Sequence, residues 1–499
     1  MEYFPKRLDM RFAKVLSVAA LPIFMVACSD DNSSLKINNP EGETPQDTSK
    51  VEPPPNIPDE EFKPITRDYS LVWQGEGTAE NPYQIASEQD LASLAFYVND
   101  SSMTFRGAYF KQTADIALSG TWSPIGVFGK NVYGYGNRPF SGIYDGGLKT
   151  ITGLSITDTA SYTGLFGLVR GAQVSNVVIK GAKLDVGSYA GVLAGKMDST
   201  TVENCSFEDV EIKGTDRVGG LVGEATHVQA KNISVTGSVE GVNSVGGVVG
   251  RMQDGSLENV TNRANVIGTT TVAGVVGSFA SVASEGVISA AMNYGIVKGT
   301  KDVAGVVATL SATKLEHSGN SGAVVADSSQ MSNVGGVIAV ASSKSVINEV
   351  FNTATVSVRR VMIAGGVIGS MKSVTGTNMF NLGKVSGIAN NMGGLVGFID
   401  GETTLQSSYN AGEVPDNNVS GTVAGKASST VTVSNVYYDK TVGGTCLVVA
   451  SQMNMELPTG FTTDEMKAAT FIATLNGTGS AWKAGSATFG GYPAFTWTE

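Results

Sequence analysis

The chain has 499 residues, 62 of them glycine, and carries a net charge of −11. That acidity makes it a poor partner for nucleic acid or for anionic headgroups. Past Cys28 no apolar stretch is long enough to span a bilayer.

Residues 1–27 read as a targeting signal peptide rather than as structure. Lys6, Arg7, Arg11 and Lys14 lead into an apolar run from Val15 to Val26, too short to cross a membrane. The run ends in Met25-Val26-Ala27-Cys28, which resembles the lipobox of bacterial lipoproteins. That resemblance implies cleavage before Cys28 and a lipid on its thiol. Ser29-Asp30-Asp31 resembles the acidic tag that carries Bacteroidetes-type lipoproteins to the cell surface. A lipid anchor in the outer membrane with surface exposure is therefore expected. Loss of residues 1–27, with four basic and two acidic groups, takes the net charge from −11 to −13. Residues 28–66 follow as a tether, with seven prolines between Pro40 and Pro64 among Glu, Asp, Ser and Thr. Such a composition cannot bury enough apolar surface to fold.

Residues 67–139 are expected to form an N-terminal cap. Ser87-Glu88-Gln89-Asp90 opens a helix that carries Leu91, Leu94, Ala95 and Val98 on one face. Strand-like Tyr109-Phe110 and Ile116-Ala117-Leu118 come next. Residues 127–139 differ from everything around them, with Phe128, Lys130, Tyr133, Tyr135, Asn137 and Arg138 set between glycines. Flat aromatic faces beside Asn and Arg can stack sugars, so Tyr133, Tyr135, Phe128 and Arg138 are candidate ligand contacts. The same aromatics could instead seal the end of the repeats.

From residue 140 to 440 one block recurs: apolar–small–Gly–apolar–apolar–small. Its central glycines are Gly164, Gly191, Gly220, Gly247, Gly274, Gly305, Gly336, Gly366, Gly394 and Gly421. A period of this kind, about 30 residues, means stacked supersecondary units. A second strand surrounds Val202-Glu-Asn-Cys205 and Leu257-Glu-Asn-Val260, and a third follows Asn293, Asn320, Asn352, Asn381 and Asn410. These asparagines suit left-handed backbone and side-chain ladders between rungs. No proline occurs from 141 to 414, as a stack that uses nearly every main-chain N–H requires. The fold class is all-β, a right-handed three-sided parallel β-helix with a cap at each end, each cap holding a short helix. Adjacent apolar pairs such as Val248-Val249 break strict alternation, and sequence alone does not say which member points inward. Cys205 takes a core position. Eight turns at ~4.8 Å would place Cys446 roughly 38 Å away, which excludes a disulfide between them. Residues 441–499 form the C-terminal cap, with Thr462-Thr-Asp-Glu465 as a capping box.

The repeated Gly-Gly-Leu-Val-Gly block resembles the GLUG motif of bacterial surface proteins. Asn81-Pro-Tyr-Gln-Ile85, Trp122-Ser-Pro-Ile-Gly126, Phe140-Ser-Gly-Ile-Tyr-Asp-Gly146 and Gly491-Tyr-Pro493 fit that group as well. The resemblance implies an adhesin-like surface protein and brings no catalytic residue. The partners it implies are the outer membrane, through the lipid, and an extracellular glycan or protein.

Enzyme chemistry finds little support in the chain. His227 and His317 fall in the third and sixth repeats, without a His-Glu-x-x-His motif. Acidic residues are scattered among the repeats, where Glu208-Asp209-Glu211 and Asp400-Gly-Glu402 come nearest to clusters, and these read as a solvated face and a turn. The sequence calls for no cofactor and no metal. Attachment at the cell surface is the first reading. A surface glycan-binding accessory protein of a polysaccharide uptake system is the second, and a glycan-degrading β-helix enzyme is the third.

Overall fold

The computed structural model describes residues 72–129, 136–283, 286–327, 329–417, 419–428, 430–442, 449–450 and 457–498. They belong to one unit, Pro64–Glu499. The signal segment, Cys28, the tether, Lys130, Tyr133, Tyr135 and Cys446 lie outside them.

The chain winds into a parallel β-solenoid of about 12 turns. The Gly-rich block supplies two of its ladders. Val218, Val245, Val272, Val303 and Val334 stack in register before the central glycine. Val222, Val249, Val276, Val307 and Ile338 stack after it. Ala230, Leu257, Ile288, Leu315 and Ile347 form the second strand's ladder. Val239, Val266, Val297, Val324 and Val356 form the third. β-branched side chains suit this arrangement, because a stacked pleated surface restricts χ1 to the rotamers they already prefer.

The bend inside the Gly-rich strand settles the question of the apolar pairs. The N–H groups of Val248 and Val249 both donate to the carbonyl of Val275, each at 3.0 Å. Those of Val275 and Val276 share Val306 in the same way. The register passes through this point unchanged, Gly246 opposite Ala273 and Val249 opposite Val276, so the shared acceptor marks a sharp corner that every rung repeats. Both members of the pair therefore turn inward, and Val248 and Val249 are both fully buried.

The central glycine sits where rungs approach most closely. A Cβ added at Gly247 would lie 2.1 Å from the carbonyl oxygen of Gly274 and 2.5 Å from the Asn262 side chain. The series continues rung by rung to Gly394, whose added Cβ would meet the oxygen of Thr422. Gly421 pairs instead with Gly393. The tenth central position is thus Thr422, and Gly421, expected there from the spacing, stands one residue before it. A Gly-Thr pair in place of Gly-Gly hides this shift in the sequence.

Beneath these glycines runs a buried ladder of asparagines: Asn262, Asn293, Asn320, Asn352, Asn381 and Asn410. Each of the first five donates from Nδ2 to Oδ1 of the next at 2.7–2.9 Å. Each of the six also donates to the carbonyl two residues on. Buried amides are tolerated because their donors find acceptors. The five asparagines expected from sequence are all present, and Asn262, whose Asn-Arg-Ala-Asn-Val context fits the same pattern, extends the ladder by one.

Both ends depart from plain repeats. Strand β1 (Tyr83–Ile85) pairs with β2 (Tyr109–Gln112), β3 (Ile116–Ala117) pairs with Thr150–Thr152, and β2 pairs with β4 (Ile143–Asp145). Parallel pairing therefore begins within the segment expected to cap. Helix α1 (Glu88–Asn99) lies between β1 and β2, with Ser87 accepting from the Asp90 N–H and Leu91, Leu94, Ala95 and Val98 buried beneath it.

At the other end, Thr459–Phe461 adds to Thr432–Asp439. The Thr462 capping box then starts α2 (Thr463–Lys467), followed by α3 (Ala469–Asn476) and an antiparallel pair, Trp482–Lys483 with Ala494–Phe495. Residues 462–498 run as a strap along the flank of the solenoid. Their Met466, Phe471, Trp482, Phe489 and Phe495 form a second core with Phe351, Phe380, Tyr409 and Tyr437. Those four residues are in register on consecutive rungs. Phe351 stacks on Phe380 and Phe380 on Tyr409, with ring planes 8° and 3° apart. Each of the first three directly precedes a ladder asparagine, so it points outward where the asparagine points in. Without the strap this aromatic row would face water.

Candidate functional site

The candidate site begins at the loop singled out in the sequence. Its Val127 and Arg138 exchange main-chain hydrogen bonds at 2.9 Å, and Asn137 accepts from the Gly129 N–H at 2.7 Å. The Arg138 guanidinium donates to the carbonyl of Asn99 at the end of α1. Arg138 thus ties the loop to the helix. Phe128 joins a column that sequence reasoning did not assemble. Its ring stacks on Tyr162 with centroids 4.2 Å apart, and Tyr162 stacks on Tyr189 at the same distance. Arg217 closes the column, its guanidinium carbon 4.6 Å from the centre of Tyr189.

The geometry follows from the backbone. Tyr162, Tyr189 and Arg217 occupy one corner on successive rungs, each with φ between 55° and 65°. Thr163, Ala190 and Val218 bridge in register beside them. Side chains at such a corner repeat at the rung spacing and must stack. The signal in the sequence was an aromatic two residues before Gly164 and Gly191, with Arg217 three before Gly220. Charges hold the corner. Glu224 accepts from Lys196 at 2.7 Å and lies 3.1 Å from Arg217. Burial pushes the Tyr162 phenol above its usual range, although Lys196 works against it. Both faces of Tyr162 and of Tyr189 are covered within the column. Recognition there falls to ring edges and to the adjacent cleft of about 400 Å³, lined by Trp122, Pro124, Phe128, Asp158 and Tyr162.

The other candidates resolve into inter-rung contacts. Glu208 and Glu211 pair with Lys180 and Lys183 of the preceding rung at 2.9 and 3.8 Å. Asp400 lies 3.7 Å from Lys372. The Gly401 N–H, the Ser428 hydroxyl and Lys372 hold its carboxyl below the usual range. Exposed pairs of this kind contribute about 0–1 kcal/mol each, enough to favour one register but little stability. His227 sits between Asp198 and Asp254, at 4.0 and 3.5 Å. His317 meets Glu349 at 3.4 Å and the edge of Trp497. Among the described residues no group of three or more His, Cys, Asp or Glu side chains could hold a metal ion. No described helix is long and apolar enough to cross a membrane. Cys205 is buried, and burial pushes its thiol up to about 12.

No family model matches the chain. It is 30% identical over 167 residues to Halomucin of Haloquadratum walsbyi, a match that covers 32% of this chain and 2% of that protein. It is 32% identical over 145 residues to a "Putative Gly-rich membrane protein" of Evansella cellulosilytica, covering 27% of this chain and 16% of the other. The chain thus spans only a small part of either relative. Among solved structures it is similar to a "putative immunoglobulin A1 protease" from Bacteroides ovatus, with 16% identity and a TM-score of 0.26 over 86% of this chain and 96% of that one.

Proposed function

We propose that the protein is a surface-anchored, non-enzymatic attachment protein of the GLUG-repeat type, held in the outer membrane by a lipid on Cys28. The observation that carries this reading is how the repeat body uses its polar groups. Ion pairs such as Lys180–Glu208, Lys196–Glu224 and Lys231–Glu258 join successive rungs. The acidic clusters thereby serve the scaffold, and what remains outward is a repetitive surface suited to contact. The relatives support the location: one is named a membrane protein. Cys28→Ala is expected to abolish labelling by a fatty-acid analogue and to release the protein from the membrane. Equal labelling of variant and wild type would refute the anchor. Binding of the full-length protein to extracellular-matrix and glycan arrays tests attachment, and turnover on a polysaccharide panel would replace it with the enzyme reading.

The second reading, a glycan-binding accessory protein, is favoured by the aromatic corner and its cleft. Loss of tenfold or more in glycan affinity on Tyr133→Ala with Tyr135→Ala would support it.

A further inference from the structure

The strap creates a cleft that no repeat contains on its own. It lies where residues 488–498 meet the flank of the solenoid and has a volume of about 280 Å³. Tyr294 and Phe351 wall it on the solenoid side, and Phe489 and Trp497 on the strap side. Thr353 and Thr488 add hydroxyls, and no charged side chain lines it among the described residues. We propose that this cleft is a binding subsite for one pyranose ring of a neutral glycan. The inference rests on the reading of the protein as a surface binder and names the ligand chemistry of one site.

Three observations point to a sugar. First, the walls are aromatic and held in place. Arg263 covers one face of Tyr294, with its guanidinium carbon 4.2 Å from the ring centre. Tyr294 is nonetheless 41% exposed. Trp497 is fixed by Phe351 and Phe495, at 5.9 and 5.7 Å between centroids. Rigid rings suit the CH-rich face of a pyranose. Second, the polar groups are uncharged hydroxyls, together with the buried indole Nε1–H of Trp497, which has no acceptor among the described residues. Thr353 shares its hydroxyl with Ser321 at 2.9 Å and keeps capacity to accept, so an apolar side chain from a protein partner would leave the indole donor unmatched and that capacity unused, whereas sugar hydroxyls both donate and accept. Third, the volume lies just below the range for drug-sized ligands, which suits a single ring rather than a chain.

The test is calorimetric titration of the full-length protein with neutral hexasaccharides of α-1,4-glucose, β-1,4-glucose and β-1,4-mannose, with hexagalacturonate as the charged comparison. At least one neutral sugar is expected to bind and to change tryptophan emission. That emission change should be lost in Trp497→Phe. Tyr294→Ala and Thr353→Val are each expected to weaken binding tenfold or more while near-ultraviolet dichroism shows the strap in place. Should Tyr294→Ala fail to fold, Thr353→Val and the emission change decide the matter. Preference for hexagalacturonate, or unchanged affinity in Thr353→Val with no emission change, would overturn the proposal. A protein that binds matrix components but none of the sugars overturns it too, and leaves attachment standing. Failure on every array and every sugar would remove both.

Discussion

At the scale of single residues, two features fix the interior, and each makes a prediction. Asn352 donates to Ala354 and Asn381 and accepts from Asn320 and the Ala354 N–H. Asn352→Ala breaks all four bonds and leaves buried partners unmatched, so it should cost about 3 kcal/mol. Asn259 belongs to a second asparagine row, with Asn232, Asn204 and Asn176, but that row is exposed. Water can replace its bonds, and Asn259→Ala should cost less than about 1 kcal/mol. Denaturant unfolding of the two variants checks the contrast, and equal midpoints would contradict it. Gly247 makes the second case. A leucine there has no room against Gly274 and Asn262, whereas Ser244, at an outer corner with φ 51°, faces outward. Gly247→Leu should lower the melting temperature far more than Ser244→Leu, by an overpacking cost of roughly 1–3 kcal/mol or more. Identical melting of the pair would mean that the rung assignment is wrong.

At the scale of elements, the strap is the part with a separable fate. Asp439, fully buried, receives the Tyr492 hydroxyl at 2.7 Å and the Thr463 hydroxyl at 2.6 Å. Burial, and then the bond to Asp439, push the Tyr492 phenol up to about 12. A folded value above the ordinary value of about 10 means that this stabilisation is complete below pH 10 and fades between about 10 and 12. Strap emission from Trp482 and Trp497 is expected to change in that window, ahead of any loss of β-sheet dichroism. Tyr492→Phe, which lacks the ionising group, should show less of the change. If both proteins titrate alike, Tyr492 is not the latch. The strap also marks where sequence reading stops. The central glycines from Gly220 to Gly394 and five of the six buried asparagines were legible because each recurs with a fixed neighbour; Gly191 and Gly421 were misplaced by one residue, since they stand opposite Gly219 and Gly393 and the central positions beside them are Val192 and Thr422. Phe351, Phe380 and Tyr409 recur as well, yet nothing in their own repeats says what covers them, since Trp482 and Phe495 lie far downstream in the chain. The aromatic corner was missed for a similar reason: Phe128, Tyr162 and Tyr189 come together only once the left-handed corner brings the rungs into register.

At the scale of the molecule, stability is spread along a stack in which each turn touches mainly its neighbours. Removal of a whole turn should then be milder than one misplaced side chain. Excision of Gly247 to Ala273 would place Val222 against Val276, Ala230 against Ile288, Val239 against Val297 and Val245 against Val303. Every one of these contacts replaces like with like, because the intervening Val249, Leu257, Val266 and Val272 occupy the same positions. Glu240 would also come opposite Lys298, a favourable pairing. The identifiable losses are the Asn262 bond to Asn293, the Lys231–Glu258 pair, the Arg263 guanidinium over Tyr294, and Asp254, which accepts from the N–H groups of Val282 and Ala283 at 2.8 and 3.1 Å. Two bonds to a carboxylate are worth about 1.5–3 kcal/mol each. The shortened chain should therefore melt cooperatively and a few degrees lower, with unchanged far-ultraviolet dichroism per residue. Excision of Gly247 to Val272 alone, which leaves Ala273 behind, would put one extra residue into the tight glycine corner and set the first rung after the junction out of register with the rung before it, while the later rungs keep their own pairing. That chain should melt well below the first. The contrast between the two deletions isolates register from the mere loss of contacts, and comparable folding of both chains would show that stacking does not depend on it.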